Sequence, residues 1–181
     1  AEIQRIVASA APVMIVGENG SGKESAADIL FLRSQLRNNP LIHINCAALG
    51  EKEWVFLLEH HNSPLADDAS TLYFINADTL PMDKLRQLLS VMGQMRVCSR
   101  NRVLFSCVCP KGEAVPPTAR TIVDELCCMT LTLPALRELR ERIPLMVNMY
   151  LSRVNEDVSR QILGVDSQAM ELLQDYPWPN N

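Results

Sequence analysis

The stretch Val13-Met14-Ile15-Val16-Gly17-Glu18-Asn19-Gly20-Ser21-Gly22-Lys23-Glu24 constrains the fold more than any other in the chain. Four apolar residues between Pro12 and Gly17 read as a buried strand, and helix-forming sequence follows the lysine. The Gly-x-x-x-x-Gly-Lys spacing, filled by Gly17, Gly22 and Lys23, turns successive backbone N–H groups inward as a cradle for phosphate oxygens. Lys23 reaches the terminal phosphates, and the start of the helix adds its positive dipole. Glu24 departs from the general pattern, because a Ser or Thr hydroxyl usually holds magnesium there. A glycine-rich turn without a ligand is the bland alternative. A strand before the loop and a helix after it favour phosphate binding at Gly17–Glu24.

The rest of the composition narrows the class. The chain of 181 residues is 48% hydrophobic and 21% charged, enough for one full core and unlike a disordered segment. A net charge of −4 argues against direct contact with nucleic acid. No apolar run is long enough to span a membrane and no signal segment opens the chain. The six cysteines lack the paired spacing of a zinc site and read as reduced thiols of a cytoplasmic protein. His60-His61 has no acidic or cysteine partner at ligand spacing, so no metal site is expected. A chain that begins without methionine and stops at Pro179-Asn180-Asn181 is expected to be a segment of something longer.

Strands and helices alternate along the first three quarters. A short helix is expected over Ala1–Ala11, then a strand ending at Val16 and a helix from Lys23 to about Leu36. Strands follow at Leu41–Asn45, Ser70–Ile75, Arg102–Cys109 and Met129–Leu133, and helices at Glu51–His60, from Pro81 to about Met92, and at Thr118–Leu126. This alternation predicts an α/β fold with a parallel five-stranded sheet covered on both faces. Beyond Pro134 only helices remain, from Pro144 to about Val154 and from Ser167 to Tyr176 with Asp166 as N-cap. Residues 1–134 are expected to form the core and 135–181 a small helical lid, incomplete at its C-terminus.

Five segments in order carry a family resemblance across nearly the whole chain. The loop Gly17–Glu24 resembles the GESGTGKE loop of the AAA+ domain in sigma-54-dependent, NtrC-like transcriptional activators, and that family also carries Glu after the lysine. Asn45-Cys46-Ala47-Ala48-Leu49 is identical to its NCAAL segment. Ser70 to Pro81 aligns without gaps on GTLFLDEIGDLP. Leu133-Pro134-Ala135-Leu136-Arg137-Glu138 with Ile143-Pro144-Leu145 resembles LPPLRERREDIPLL, and Tyr176-Pro177-Trp178-Pro179-Asn180 resembles YPWPGN. The resemblance implies a P-loop AAA+ three-layer sandwich with a helical lid. It also implies ATP hydrolysis by a ring-shaped oligomer that remodels the sigma-54 form of RNA polymerase.

The motor parts are changed at the matching positions. The resemblance places Ile75 and Asn76 where Walker B carries Asp and Glu. Isoleucine cannot ligate a cation, and an amide cannot act as a general base. Asp78 lies past the strand end, where alternating side-chain direction turns it away from that role. The sensor asparagine aligns with Cys109, and the two arginine fingers with Ala119 and Glu125. Arg120 is one residue from the first, about 100° round the helix. Residues 50–69 are too few for the GAFTGA loop that touches sigma-54, and the second sensor arginine falls beyond residue 181.

ATP or ADP is therefore the expected ligand, with neither hydrolysis nor engagement of sigma-54 retained and magnesium left open. The expected partners are nucleotide and further copies of the chain, with RNA polymerase or a sigma factor reached only indirectly. A working ATPase, a P-loop kinase and a structural or oligomerisation domain without nucleotide remain the alternatives.

Overall fold

In the computed structural model, which describes residues 2–157 and 161–181, the chain divides into two compact units. The first comprises residues 1–17 and 22–133, the second 18–21 and 134–181.

The first unit is built on one parallel sheet. Its strands are β1 (Val13–Gly17), β2 (Leu41–Asn45), β3 (Thr71–Ile75), β4 (Arg102–Val108) and β5 (Met129–Thr132), in the spatial order β2-β3-β4-β1-β5. The three central strands β1, β3 and β4 are nearly continuous apolar runs, as burial on both faces demands. Helices α1 (Glu2–Ala8) and α2 (Lys23–Leu32) cover one face, where Ile6, Ala27 and Leu30 pack with Val13, Ile15, Tyr73, Leu104 and Leu131. Helices α3 (Glu51–Glu59), α4 (Met82–Gln94), α5 (Val97–Arg100) and α6 (Pro117–Leu126) belong to the opposite face. Trp54, Leu57, Leu85, Leu88, Val97 and Ile122 close there on Met14, Leu72, Phe74 and Phe105. Phe74 and Phe105 stack across β3 and β4 with centroids 5.0 Å apart.

Several boundaries depart from the sequence reading. The first helix ends at Ala8 rather than Ala11, and Ala1 lies outside the described residues. The helix expected to reach Leu36 stops at Leu32. Ser34 explains the early end, since its hydroxyl accepts the Leu36 N–H at 3.1 Å and offers the backbone an alternative to another helical turn. Helix α5 has no counterpart in the sequence reading; Arg96, in a left-handed conformation at φ 51°, breaks the chain between α4 and α5.

The second unit holds α7 (Ile143–Asp157) and α8 (Ser167–Asp175). Asp166 caps α8 by accepting the Ala169 N–H at 2.7 Å. The aromatic segment after α8 folds back on it, with Trp178 Nε1 donating to the Leu173 carbonyl at 2.8 Å. Among the described residues no helix is long and apolar enough to cross a membrane.

Candidate functional site

All five strands are parallel, so their C-terminal ends share one edge of the sheet. In open sheets of this kind ligands bind beyond that edge. β1 ends at Gly17 and the chain re-enters the first unit at Gly22, the N-cap of α2, with φ 85°. Such an angle strains any residue with a Cβ. Lys23 opens α2 and swings back across the loop, its Nζ donating to the Gly17 carbonyl at 3.1 Å. Burial pushes the Lys23 ammonium below its ordinary value, while Cys107, Asp78 and Glu24 nearby pull it upward. Glu24 itself is exposed.

The ends of β3 and β4 differ in kind. Ile75 closes β3 and packs with the α1–α2 face of the core, beside Tyr73. Asn76 follows in the left-handed region at φ 54°. Its N–H donates to Ser106 Oγ at 3.3 Å, and its carbonyl accepts the Thr79 hydroxyl at 2.7 Å. The turn Ala77–Thr79 then carries Asp78 back towards the sheet, where its Oδ1 accepts the Val108 N–H at 3.1 Å. Strand alternation, which sets Asp78 aside in the sequence, does not continue through a 3₁₀ turn. Asp78 adds to the burial that raises Cys46 and Cys107 and works against the burial that lowers Lys23.

Cys109 follows β4 and donates its N–H to the Gly17 carbonyl at 3.2 Å. Its Sγ donates to the Glu113 carbonyl at 3.6 Å. Burial, reinforced by Asp78, pushes the Cys46 and Cys107 thiols up to about 12, so both stay protonated and inert at neutral pH. On α6, Ala119 is fully buried in the core, whereas Arg120 and Glu125 are exposed. Among the described residues no cluster of three or more His, Cys, Asp or Glu side chains is arranged to hold a metal ion.

Glu18, Asn19, Gly20 and Ser21 belong to the second unit. Arg137 donates to Glu18 through both terminal nitrogens, at 2.7 and 2.5 Å. That pairing raises the guanidinium above its ordinary value. Asn181 Nδ2 donates to the Asn19 carbonyl at 2.7 Å. A Cβ on Gly20, which sits at φ 74°, would collide with the Asn180 carbonyl, so only glycine fits. Ser21 Oγ is buried and has no hydrogen-bond partner among the described residues. A buried hydroxyl left in that state is costly, and a phosphate oxygen at this turn would satisfy it. The loop therefore fits a phosphate group.

A glycine loop and lysine between β1 and α2, at the edge of a sheet with this strand order, define a P-loop AAA+ domain with its helical lid. The family description "Sigma-54 interaction domain" matches residues 1–61 and "AAA+ ATPase lid domain" matches residues 137–181. The transcriptional regulatory protein ZraR of Escherichia coli K12 is 30% identical over 209 residues, covering 99% of this chain and 46% of ZraR. The regulatory protein AtoC of the same strain is 29% identical over 206 residues, covering 98% of this chain and 44% of AtoC. The crystal structure of NtrX from Brucella abortus in complex with ATP superposes with a TM-score of 0.83 at 22% identity, over 99% of this chain and 46% of that one. The chain belongs to the AAA+ sigma-54 interaction domains of NtrC-like transcriptional regulators. It spans about half the length of the relatives it matches.

Proposed function

We propose that this chain is a nucleotide-binding regulatory module of a transcriptional regulator, holding ATP or ADP at Gly17–Glu24 without hydrolysing it at a useful rate. One observation carries the reading: the glycine loop and Lys23 are complete, while Ile75 and Asn76 occupy the positions from which the family works on metal and water. The backbone N–H groups from Glu18 to Lys23 and the Ser21 hydroxyl would hold the phosphates, with Lys23 supplying positive charge. The side chain of Ile75 is turned into the apolar face of the core, where it neither holds a metal nor orders its water shell. Asn76 is committed to closing a turn and has no basic atom.

The same direction is seen at the other motor positions. Cys109 is a weak hydrogen-bonding partner, Ala119 is buried in the core and Glu125 carries the wrong sign for a finger. The alignment with ZraR runs over 209 positions against the 181 residues of this chain, so at least 28 of them face a gap here. This supports the absence of a sigma-54-binding loop, since residues 50–70 are taken up by α3 and the turn Pro64–Ala66. Bound nucleotide then acts by favouring the folded or associated state, worth about 2.7 kcal/mol at a hundredfold excess over Kd.

Titration calorimetry with ADP, paired with phosphate release under saturating ATP and magnesium, tests this function. We expect binding that weakens by roughly 30- to 100-fold in Lys23→Ala, the worth of a charge-assisted hydrogen bond, and no turnover above background. Absence of binding at millimolar nucleotide makes the domain purely structural. Turnover at about 1 s⁻¹, ordinary for an enzyme, favours the second reading, an ATPase that uses Asp78. The specific support for that reading is the Asp78 carboxylate, which accepts the Val108 N–H at the end of β4 and pulls the Lys23 value upward.

A further inference from the structure

Glu18 is an acidic residue inside a loop that has to accept an anion, and the way it is held explains how the two coexist. Arg137 lies 119 positions away and meets it with two parallel hydrogen bonds of 2.7 and 2.5 Å. Two such bonds fix the orientation of a carboxylate as well as its distance. Asn181 braces the same place from the other side. Its Nδ2 donates to the Asn19 carbonyl and reaches Glu18 Oε2 at 3.5 Å, while its Oδ1 accepts the N–H of Leu136 at 2.5 Å. Leu136 adjoins Arg137, so one side chain ties the loop to the segment that presents the guanidinium. The Ser21 N–H donates to the Glu18 carbonyl at 3.2 Å, closing a turn around Asn19 and Gly20. A displaced Glu18 therefore displaces the backbone N–H groups that follow it.

We infer that Arg137 is a positioning residue of the phosphate-binding loop: by gripping Glu18 at two points it sets the Glu18–Ser21 turn and cancels a carboxylate charge beside the phosphates. This rests on the nucleotide reading above. The charge effect follows from electrostatics, since removing the guanidinium leaves the Glu18 carboxylate with less compensating positive charge beside a polyphosphate, and like charges repel more strongly away from bulk water. The shape effect follows from the geometry of the turn. The two are separable by mutation, because Glu18→Gln removes the charge while keeping a side chain that still accepts one hydrogen bond.

The test compares the whole chain with Arg137→Ala, Arg137→Lys, Glu18→Gln and the double variant Arg137→Ala/Glu18→Gln. Amide hydrogen exchange is followed without nucleotide, and ADP affinity by calorimetry. In Arg137→Ala the amide of Ser21, bonded to the Glu18 carbonyl, is expected to exchange faster, while those of Leu104 and Phe105 keep the wild-type rate. ADP affinity should fall about tenfold, less than for Lys23→Ala because Arg137 acts on the phosphates only through the loop. Arg137→Lys should lie between, because an ammonium cannot make the paired bonds. The double variant should bind ADP more tightly than Arg137→Ala alone, a recovery that a merely structural arginine would not give. Wild-type exchange at Ser21 in Arg137→Ala, or a double variant no better than the single one, overturns the inference. Should Arg137→Ala not fold, the exchange rates of Arg137→Lys decide the matter in the same way. A wild-type chain that binds no ADP removes the nucleotide reading, and the exchange comparison still decides whether Arg137 sets the turn.

Discussion

Strands β1 and β3 both neighbour β4, run in the same direction and finish at the same edge of the sheet, yet the backbone leaves them in opposite ways. After β1 the chain stays open: glycines at φ 74° and 85°, a lysine folded back over Gly17, and a buried hydroxyl with no partner among the described residues. After β3 the backbone is closed on itself. Ile75 joins the core, and Asn76 and Thr79 satisfy one another and Ser106. A phosphate cradle made of backbone survives while the glycines and lysine stay, whatever happens to the side chains opposite. Under the proposed function, chemistry that depends on carboxylates at a strand end is lost with the two residues Ile75 and Asn76. That reading makes grip and turnover separable properties of one edge.

The sharpest way to break that contrast is to restore the acids. Ile75→Asp/Asn76→Glu is expected to make ATP affinity depend on magnesium by about tenfold, the scale of one charge-assisted interaction, with ADP affinity in the absence of metal unchanged. Calorimetry with and without magnesium checks this. An unchanged magnesium response would mean that the β3 end does not face the ligand at all.

A second way to probe this edge concerns its buried thiols. Cys46 and Cys107 are raised by burial from an ordinary 9.0 to about 12, and Cys128 likewise. Below about pH 9 folded and unfolded chains both hold these protons, and the contribution to stability is present in full. From 9 towards 12 the unfolded chain releases its protons first, so stability falls as pH rises through that window. Urea midpoints between about pH 8 and about pH 10.5 should show the decline, and Cys46→Ala/Cys107→Ala should make it shallower, Cys128 keeping the remainder. A double variant with the same slope as the wild type would place the effect elsewhere.

Much of this architecture is written in local sequence. The apolar runs of β1, β3 and β4, Asp166 as a cap and the glycine loop all announce themselves through neighbours a few residues away. What stays hidden is set by longer range or by a local competitor. The Ser34 hydroxyl ends α2 a turn early, and Arg96 in a left-handed bend separates α5 from α4. Asp78 is misplaced by strand alternation, because a 3₁₀ turn reverses its direction. Arg137 and Glu18 each stand out in a motif, but nothing short of the folded chain pairs residues 119 positions apart.

The smallest predicted effect is at Asn76. Asparagine tolerates left-handed angles better than most residues, so Asn76→Gly should change stability by no more than about 0.5 kcal/mol, whereas the β-branched Asn76→Val should cost about 1–2 kcal/mol. Thermal unfolding of the two variants measures the difference. Equal midpoints would show that the closed turn after β3 is not what holds this end of the strand.

Arg102, at the opposite edge, has a mechanical meaning. Its guanidinium, buried at the first position of β4, donates to the carbonyls of Ile6 and Ser9, just at the end of α1. β4 runs from there to Val108, and the next residue, Cys109, has its N–H bonded to Gly17. The amino-terminal helix is therefore moored to a central strand rather than to the rim of the sheet, and that same strand ends beside the root of the glycine loop.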